Sequence, residues 1–185
     1  MQETTGRLDD PMKRGIVLLA QGFGSGWFPK GPGTAGSLVG LVWAWVLMLP
    51  GNLGLFWLGA LLGAGAAVWI CGRAEQILGL HDPGSIVLDE IVAIPLCLGT
   101  GVTALAWSGS FTGPMAFVSA HPAWVVPAVF VAFRVVDIAK PWPVRQVQAL
   151  PGGWGVVVDD VLAAVWVNVP WLLWLGWKPG CCGSS

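Results

Sequence analysis

The sequence predicts an all-α, membrane-embedded protein, a bundle of about four to five apolar helices with Gly- and Pro-rich cytoplasmic loops. Of its 185 residues, 55% are hydrophobic and only 10% are charged, whereas about 25% of an ordinary soluble domain is charged. Three long stretches, residues 31–72, 91–133 and 161–177, carry no charge at all. Because about 20 apolar residues can cross a bilayer as a helix, these stretches predict membrane spans.

Five apolar segments are the candidate helices, and they are residues 35–49, 53–72, 86–107, 124–133 and 161–177. The second has the length of a complete span, whereas the first, with 15 residues, is short for one.

A net charge of −1 provides no basic surface for nucleic acid. The length suits one domain, which we place at residues 15–178.

The flanking and connecting segments are polar or rich in glycine. Residues 1–14 are predicted as a mobile polar lead and residues 179–185 as a polar tail. Residues 21–37 contain six Gly and two Pro, which favours a loop, and Thr34 could cap the helix that follows.

The charges also predict an orientation. If the chain starts inside and crosses five times, the 50–52 turn and the 108–122 loop lie outside, and neither carries a charged side chain. All lysines, arginines and carboxylates of the domain then lie on the cytoplasmic face, as the positive-inside bias requires for the basic residues. A four-span or re-entrant arrangement fits the same pattern.

Two short blocks, residues 73–90 and 134–160, hold eleven of the twelve charged residues between Gly15 and Trp177. Charges near membrane depth are costly and tend to mark function. Carboxylates mixed with arginine and lysine are the composition expected of a metal-assisted phosphate site.

In the first block, Asp82 precedes Pro83, which is typical of an N-cap and first helical residue. If a helix starts there, Asp82 and Asp89 share a face and Glu90 lies a quarter-turn away. Such convergent carboxylates would suit Mg²⁺. His81 could protonate a leaving oxygen, or serve only as a neutral capping residue. The alternative is that Asp82 only caps the helix and that the other two acids are solvated.

In the second block, Arg134 and Asp137 are three residues apart and can pair on one helical face. Lys140 lies three residues further on, two prolines then end the helix, and Arg145 follows in an extended stretch. Arginine and lysine both bind phosphate. The alternative is that these side chains anchor the helix by reaching the lipid headgroups.

A third segment, residues 152–160, has a glycine turn followed by Asp159 and Asp160. We expect the two acids to lie at the N-terminal end of a helix, where the helix dipole favours negative charge. The alternative is that they only stabilise this helix end and bind no ligand.

Several other site classes are excluded. The chain lacks a P-loop and a G-x-S-x-G nucleophile elbow. Its G-x-G-x-x-G segment at residues 31–36 follows no predicted strand. Two histidines exclude a His-rich metal site, and no Cys-x-x-Cys pair occurs.

Four segments together resemble the phosphatidylglycerophosphatase A family in order and spacing. They are GFGSGWFPKGPGTAGSL (22–38), HDPGSIVLDE (81–90), FRVVDIAKPWPVR (133–145) and GGWGVVVDD (152–160). The resemblance implies a helical bundle that depends on Mg²⁺ and removes the terminal phosphate of phosphatidylglycerol phosphate, the last step in making phosphatidylglycerol. It also implies a multi-pass protein of the bacterial inner membrane with a cytoplasmic active face.

The resemblance also implies roles for the charged residues. The expected metal-binding acids are Asp82, Asp89, Glu90, Asp137, Asp159 and Asp160. The expected phosphate-binding residues are Arg134, Lys140 and Arg145. The expected catalytic set is Asp82, Asp89, Glu90, Arg134, Asp137, Lys140 and Asp160. The chain departs from the family at Gln148, where relatives often have an acid, and at Ala93 and Ala164, where glycines are common.

Other functions also fit parts of the pattern. A lipid phosphatase acting on another headgroup would use the same site. For either substrate, the nucleophile would be a metal-activated water, or an aspartate that forms an aspartyl-phosphate. A small carboxylate-lined transporter would carry its acids midway along the spans rather than at helix ends. An assembly protein without chemistry would leave the clustering of acids and bases unexplained. The sequence does not set the oligomeric state.

Overall fold

The protein is a bundle of helices, and the computed structural model describes residues 10–177, with side chains as far as residue 173. A 3-10 segment (Gly22–Trp27) follows the first helix. The helices are α1 (Pro11–Ala20), α2 (Pro32–Met48), α3 (Leu53–Leu78), α4 (Leu88–Trp107), α5 (Pro114–Ala120), α6 (Val125–Ala139), α7 (Val144–Val147) and α8 (Gly153–Trp177). No strand occurs within the described residues, and the predicted all-α class is confirmed.

Three helices, α3, α4 and α8, are long and apolar enough to cross a membrane. A fourth span is possible, because α5 and α6 also qualify when they are taken together across their 95° bend. Helix α2 is apolar but has only 17 residues. The four to five apolar helices predicted from the sequence therefore correspond to α2, α3, α4, α6 and α8.

Helix α4 lies at the centre of the bundle and packs against α2, α3, α6 and α8. Of its most apolar stretch, 61% is buried, against 17% for α3, so most of α3 lies on the outside of the bundle. Two glycines of α2 let this helix pack closely against α4 and the residue before it. A Cβ on Gly36 would lie 2.7 Å from Val87 Cβ, and a Cβ on Gly40 would lie 2.7 Å from Ile94 Cγ1. This close packing holds the start of α2 against the start of α4.

Several predicted boundaries are wrong. Helix α1 begins at Pro11, inside the predicted lead, and Asp10 caps it by accepting a 2.9 Å hydrogen bond from the Met12 N–H. Helix α2 begins at Pro32, inside the predicted loop 21–37, and its N-cap is Gly31 in the left-handed region (φ 80°), not Thr34. Residues 1–9 and the predicted tail lie outside the described residues.

Two further differences concern loops and helix starts. Helix α5 forms within the predicted loop 108–122, with Pro114 as its first residue. Helix α8 begins at Gly153, so Asp159 and Asp160 lie two turns inside it and not at its start.

Candidate metal and phosphate site

Three carboxylates converge where the first turn of α4 lies against α8. Asp89 and Glu90 belong to α4 and Asp160 to α8, and one oxygen from each lies within 4.8 Å of the other two. Asp89 and Asp160 are buried. We call these three residues the acidic cluster. The convergence follows from the contact between α4 and α8, which puts acids from distant parts of the chain side by side.

Each member of the acidic cluster keeps an unpaired buried oxygen. Asp89 Oδ1, Glu90 Oε2 and Asp160 Oδ2 are inaccessible and have no hydrogen-bond partner. Buried polar atoms are paired in the large majority of cases, and buried charges are paired or bind metals. An unpaired buried oxygen on each of three convergent carboxylates fits a hard divalent cation such as Mg²⁺, which takes oxygen ligands.

A cavity of about 260 Å³ opens beside the acidic cluster. All six acids that the sequence predicted as metal ligands line it, together with one lysine. The lining residues are Asp82, Gly84, Ile86, Asp89, Glu90, Asp137, Ile138, Lys140, Asp159 and Asp160. The fold thus gathers carboxylates from both predicted charge blocks into one cavity at one end of the bundle.

Lys140 is the cation that lines this cavity. Its Nζ lies 2.6 Å from Asp159 Oδ2, and the residue ends α6, which stops at Ala139 before the predicted pair of prolines. Partial burial lowers the pKa of Lys140, but the hydrogen bond and charge of Asp159 outweigh it, so the pKa lies above its ordinary value of 10.5. Lys140 is therefore charged at neutral pH.

Arg134 lies behind the cavity and joins two of its acids. Its Nη1 lies 2.8 Å from Asp137 Oδ2, which confirms the predicted i,i+3 pair, and 3.4 Å from Glu90 Oε1. Ser37 is buried and also lies 3.5 Å from the same Nη1. Because Arg134 does not line the cavity, its position suits orientation of Glu90 and Asp137 better than direct contact with a ligand.

Comparisons with known proteins identify the family of this chain. Residues 18–175 match the model of the family described as phosphatidylglycerophosphatase A. The chain belongs to the phosphatidylglycerophosphatase A family. It is 38% identical over 150 residues to a phosphatidylglycerophosphatase A of Escherichia coli, covering 80% of this chain and 76% of that protein.

Two further relatives are similarly close. A phosphatidylglycerophosphatase A of Haemophilus influenzae is 35% identical over 155 residues, covering 83% of this chain and 85% of the relative. A protein of Bacteroides thetaiotaomicron, named provisionally as a phosphatidylinositol-3-phosphatase, is 35% identical over 154 residues, covering 81% and 87%. No solved structure matches the chain.

The structure corrects the sequence prediction for one family motif, the segment around Asp82. Helix α4 begins at Leu88, so Asp82 does not cap it and does not share a helical face with Asp89. Asp82 instead has φ 45°, its carboxylate accepts a 2.9 Å hydrogen bond from Gln148 Nε2, and it is exposed. It lines the rim of the cavity, apart from the buried acidic cluster.

Glu75 is a residue that the sequence reasoning missed. Its buried Oε1 accepts a hydrogen bond from the Asp82 N–H at 2.7 Å and lies 2.8 Å from His81 Nδ1. It therefore fixes the loop that carries Asp82. The His81 side chain is 66% exposed and does not line the cavity. The signal for Glu75 was its position at the end of a long apolar run.

Gly33 is the second missed residue, and its position in this chain leaves no room for a side chain. A Cβ there would overlap Glu90 Oε1 and lie 2.9 Å from Arg134 Nη2. The start of α2 therefore packs directly onto the Glu90–Arg134 pair, and only a residue without a side chain leaves that pair in place.

Arg145 lies apart from this arrangement. It is exposed on α7, a short helix where an extended stretch was predicted, and it does not line the cavity. Within residues 10–177, no hydrogen bond or ion pair joins it to the acidic cluster. Its predicted contact with phosphate stays a prediction.

Proposed function

We propose that the protein is a Mg²⁺-dependent phosphatase that hydrolyses phosphatidylglycerol phosphate to phosphatidylglycerol and phosphate, the last step in making this lipid. The family membership supports the reaction class. The relatives from E. coli and H. influenzae carry the name of this activity. We place the active face on the cytoplasmic side of the inner membrane, because the basic residues gather at the site end of the helices.

One observation carries the metal-dependent part of the proposal. Six carboxylates line the cavity beside a single lysine, with Arg134 behind them. An anionic phosphate would be repelled by this excess of negative charge. A divalent cation held by the orphaned oxygens of the acidic cluster would reverse the local field, and carboxylate ligands that leave space for substrate phosphate are typical of Mg²⁺ sites.

In this proposal, Asp89, Glu90 and Asp160 hold the ion. When bound, Mg²⁺ would offset the charge of the phosphoryl oxygens and favour deprotonation of a water molecule. The remaining side chains prepare the site for that chemistry before substrate arrives.

Lys140 is the side chain placed to donate to a phosphoryl oxygen, since it lines the cavity as a cation. Asp159 holds its Nζ in place. Arg134 fixes Glu90 and Asp137 through its two short contacts. Such preorganised charges stabilise a transition state without a cost of reorganisation during the reaction.

The location of the site suits a lipid substrate. The acids lie at the first turn of α4, the end of α6 and the third turn of α8, and in this proposal that end of the bundle faces the membrane surface. The acyl chains can stay in the bilayer while the phosphate enters a polar cavity. The acids are not distributed midway along the spans, which is unlike the carboxylate-lined transporter considered above.

The B. thetaiotaomicron relative supports a second candidate substrate class, phosphorylated phosphatidylinositol. Phosphate release from phosphatidylglycerol phosphate, phosphatidic acid and phosphatidylinositol 3-phosphate, measured on the purified protein in detergent with Mg²⁺, separates these cases. We expect the highest kcat/KM on phosphatidylglycerol phosphate. A higher kcat/KM on either of the other two lipids would make that lipid the assigned substrate. Ion flux without phosphate release would favour the transporter.

A further inference from the structure

A second cavity, outside the catalytic site, is a groove on the outer side of the bundle. It has a volume of about 620 Å³ and lies between α3 and α8. Ligand pockets of proteins commonly measure about 300 to 1,000 Å³. We call it the α3–α8 groove, and none of the proposed catalytic or metal-binding residues lines it.

The floor of the groove is made by backbone. A Cβ on Gly153 would overlap the Val68 carbonyl oxygen, and one on Gly72 would lie 2.9 Å from the Gly153 nitrogen. The start of α8 thus packs directly against α3, and the groove lies where both helices have glycines in place of large side chains. The walls are apolar, and the exposed indoles of Trp69 and Trp154 flank it.

The dimensions of the groove match one leaflet of a bilayer. Along α3 it runs from Ala64 to Gln76, which is about 18 Å at the rise of an α-helix. Half of a hydrocarbon core of about 30 Å is about 15 Å. Its polar end lies at the C-terminal end of α3, on the same face of the bundle as the catalytic cavity.

The charges at the polar end are basic. Arg73 lines the groove and also a neighbouring cavity of about 310 Å³, which Lys13 of α1 lines as well. Among the described residues, no carboxylate lines either cavity. The Arg73 guanidinium donates a 3.1 Å hydrogen bond to Gln76 Oε1, and no acid within residues 10–177 lines the groove beside it.

We propose that the α3–α8 groove is a binding site for an anionic phospholipid, with one acyl chain along the groove and the phosphate at Arg73 and Lys13. An apolar channel of leaflet length accounts for the chain, and basic residues near the surface attract an anionic headgroup. The flanking tryptophans suit the headgroup level, where their indoles are favoured. This site is separate from the catalytic cavity and would hold a structural or regulatory lipid.

The test uses the full-length protein in detergent, titrated with phosphatidylglycerol or phosphatidylcholine of matched chains and observed by native mass spectrometry. Gly65 lines the groove, and a Cβ there meets nothing within 4 Å, so Gly65→Leu fills it without a backbone clash. Ala66→Leu is the matched control, because Ala66 is exposed on α3 but does not line the groove.

We expect Gly65→Leu to weaken binding of both lipids by more than about tenfold, since each buried CH₂ contributes about fourfold in affinity. Arg73→Gln should weaken phosphatidylglycerol alone, by about fivefold. Ala66→Leu and Lys30→Gln, which removes an exposed lysine elsewhere, should bind like the wild type.

Two results would overturn the proposal. If phosphatidylglycerol binds equally well to Gly65→Leu and Ala66→Leu, the lipid occupies the catalytic cavity or the general surface and not the groove. If Arg73→Gln retains the wild-type preference for the anionic lipid, the headgroup is not at Arg73. Because the readout is binding, loss of the proposed phosphatase activity would not affect either result.

Discussion

Asp160→Asn should stabilise the protein without metal and remove its response to Mg²⁺. The substitution keeps the size of the side chain and removes one of three negative charges whose oxygens lie within 4.8 Å of one another. Coulomb's law gives about 3.5 kcal/mol for two unit charges at this distance with an effective dielectric constant of about 20. Protons bound by the cluster relieve part of this repulsion, so we expect a gain of about 1 to 3 kcal/mol in metal-free stability.

The response to metal should change in the opposite direction. A ligand present at 100 times its dissociation constant stabilises the folded state by about 2.7 kcal/mol. If loss of one carboxylate weakens Mg²⁺ binding about a hundredfold, the same concentration stabilises the variant by about 0.4 kcal/mol. Mg²⁺ should therefore stabilise the wild type by about 2.3 kcal/mol more than the variant, and the two exchange order in stability if the metal-free gain is below about 2.3 kcal/mol.

Thermal unfolding of the detergent-solubilised protein, with chelator and with Mg²⁺, measures both effects. Asp10→Asn is the matched control, because it removes the same charge far from the cavity and asparagine also caps helices well. A variant that is less stable than the wild type in chelator would refute the account of repulsion within the acidic cluster. A variant that retains the full Mg²⁺ response would remove Asp160 from the metal site.

Three further predictions concern other parts of the site. Asp89→Asn should abolish phosphate release, whereas Asp82→Asn, which changes an exposed residue at the rim, should lower kcat/KM by less than about tenfold. Gly33→Ala should lower kcat more than tenfold while the protein remains folded, because the added methyl group displaces Glu90. Displacement of a catalytic group by about 1 Å can lower the rate about a hundredfold. Steady-state kinetics measures kcat, and circular dichroism shows whether the protein is folded. Lys140→Met should lower stability by about 1 to 3 kcal/mol, because it leaves a buried carboxylate without its partner. Since the pKa of Lys140 is raised by folding, this difference from wild type should be complete below about pH 10.5 for as long as Asp159 stays ionised, and it should vanish as the pH rises through the folded-state pKa.

Controls and contrary outcomes differ among the three. Equal losses in the two aspartate variants would mean that the rim and the buried cluster act as one unit. Gly15→Ala is the control for Gly33→Ala, because a Cβ at Gly15 meets nothing within 4 Å; full activity in Gly33→Ala would show that the close approach to Glu90 is dispensable. If Lys140→Met is as stable as wild type at neutral pH, Asp159 does not need Lys140 as its partner in the folded protein.

Composition and charge spacing predicted the fold class and the acids that the fold brings to one cavity. The charge-free stretches give the helices, and all six predicted acids line one cavity. The reason is general: a chain that buries most of its surface in lipid and protein can place ionisable groups only where they are used or compensated. Spacing along the helix was sufficient for the local pair of Arg134 and Asp137.

Local signals failed where tertiary contacts override them. The same Asp-Pro pair marks a helix start correctly at Asp10 and incorrectly at Asp82, whose N–H donates to Glu75 and whose carboxylate bonds Gln148. No sequence pattern reveals those long-range partners. Nor could it reveal that Gly33 is placed against Glu90, since that contact depends on how α2 packs on α4.

The most direct test of the central claim is release of inorganic phosphate from phosphatidylglycerol phosphate by the purified protein, first with Mg²⁺, then with excess chelator, then with Mg²⁺ restored. Asp10→Asn and Asp89→Asn are run in parallel as control and site variant. We predict release that stops with chelator, returns with Mg²⁺ and never occurs in Asp89→Asn. Release that continues in chelator, or that Asp89→Asn retains, would contradict the assignment of the acidic cluster as the metal site of the phosphatase.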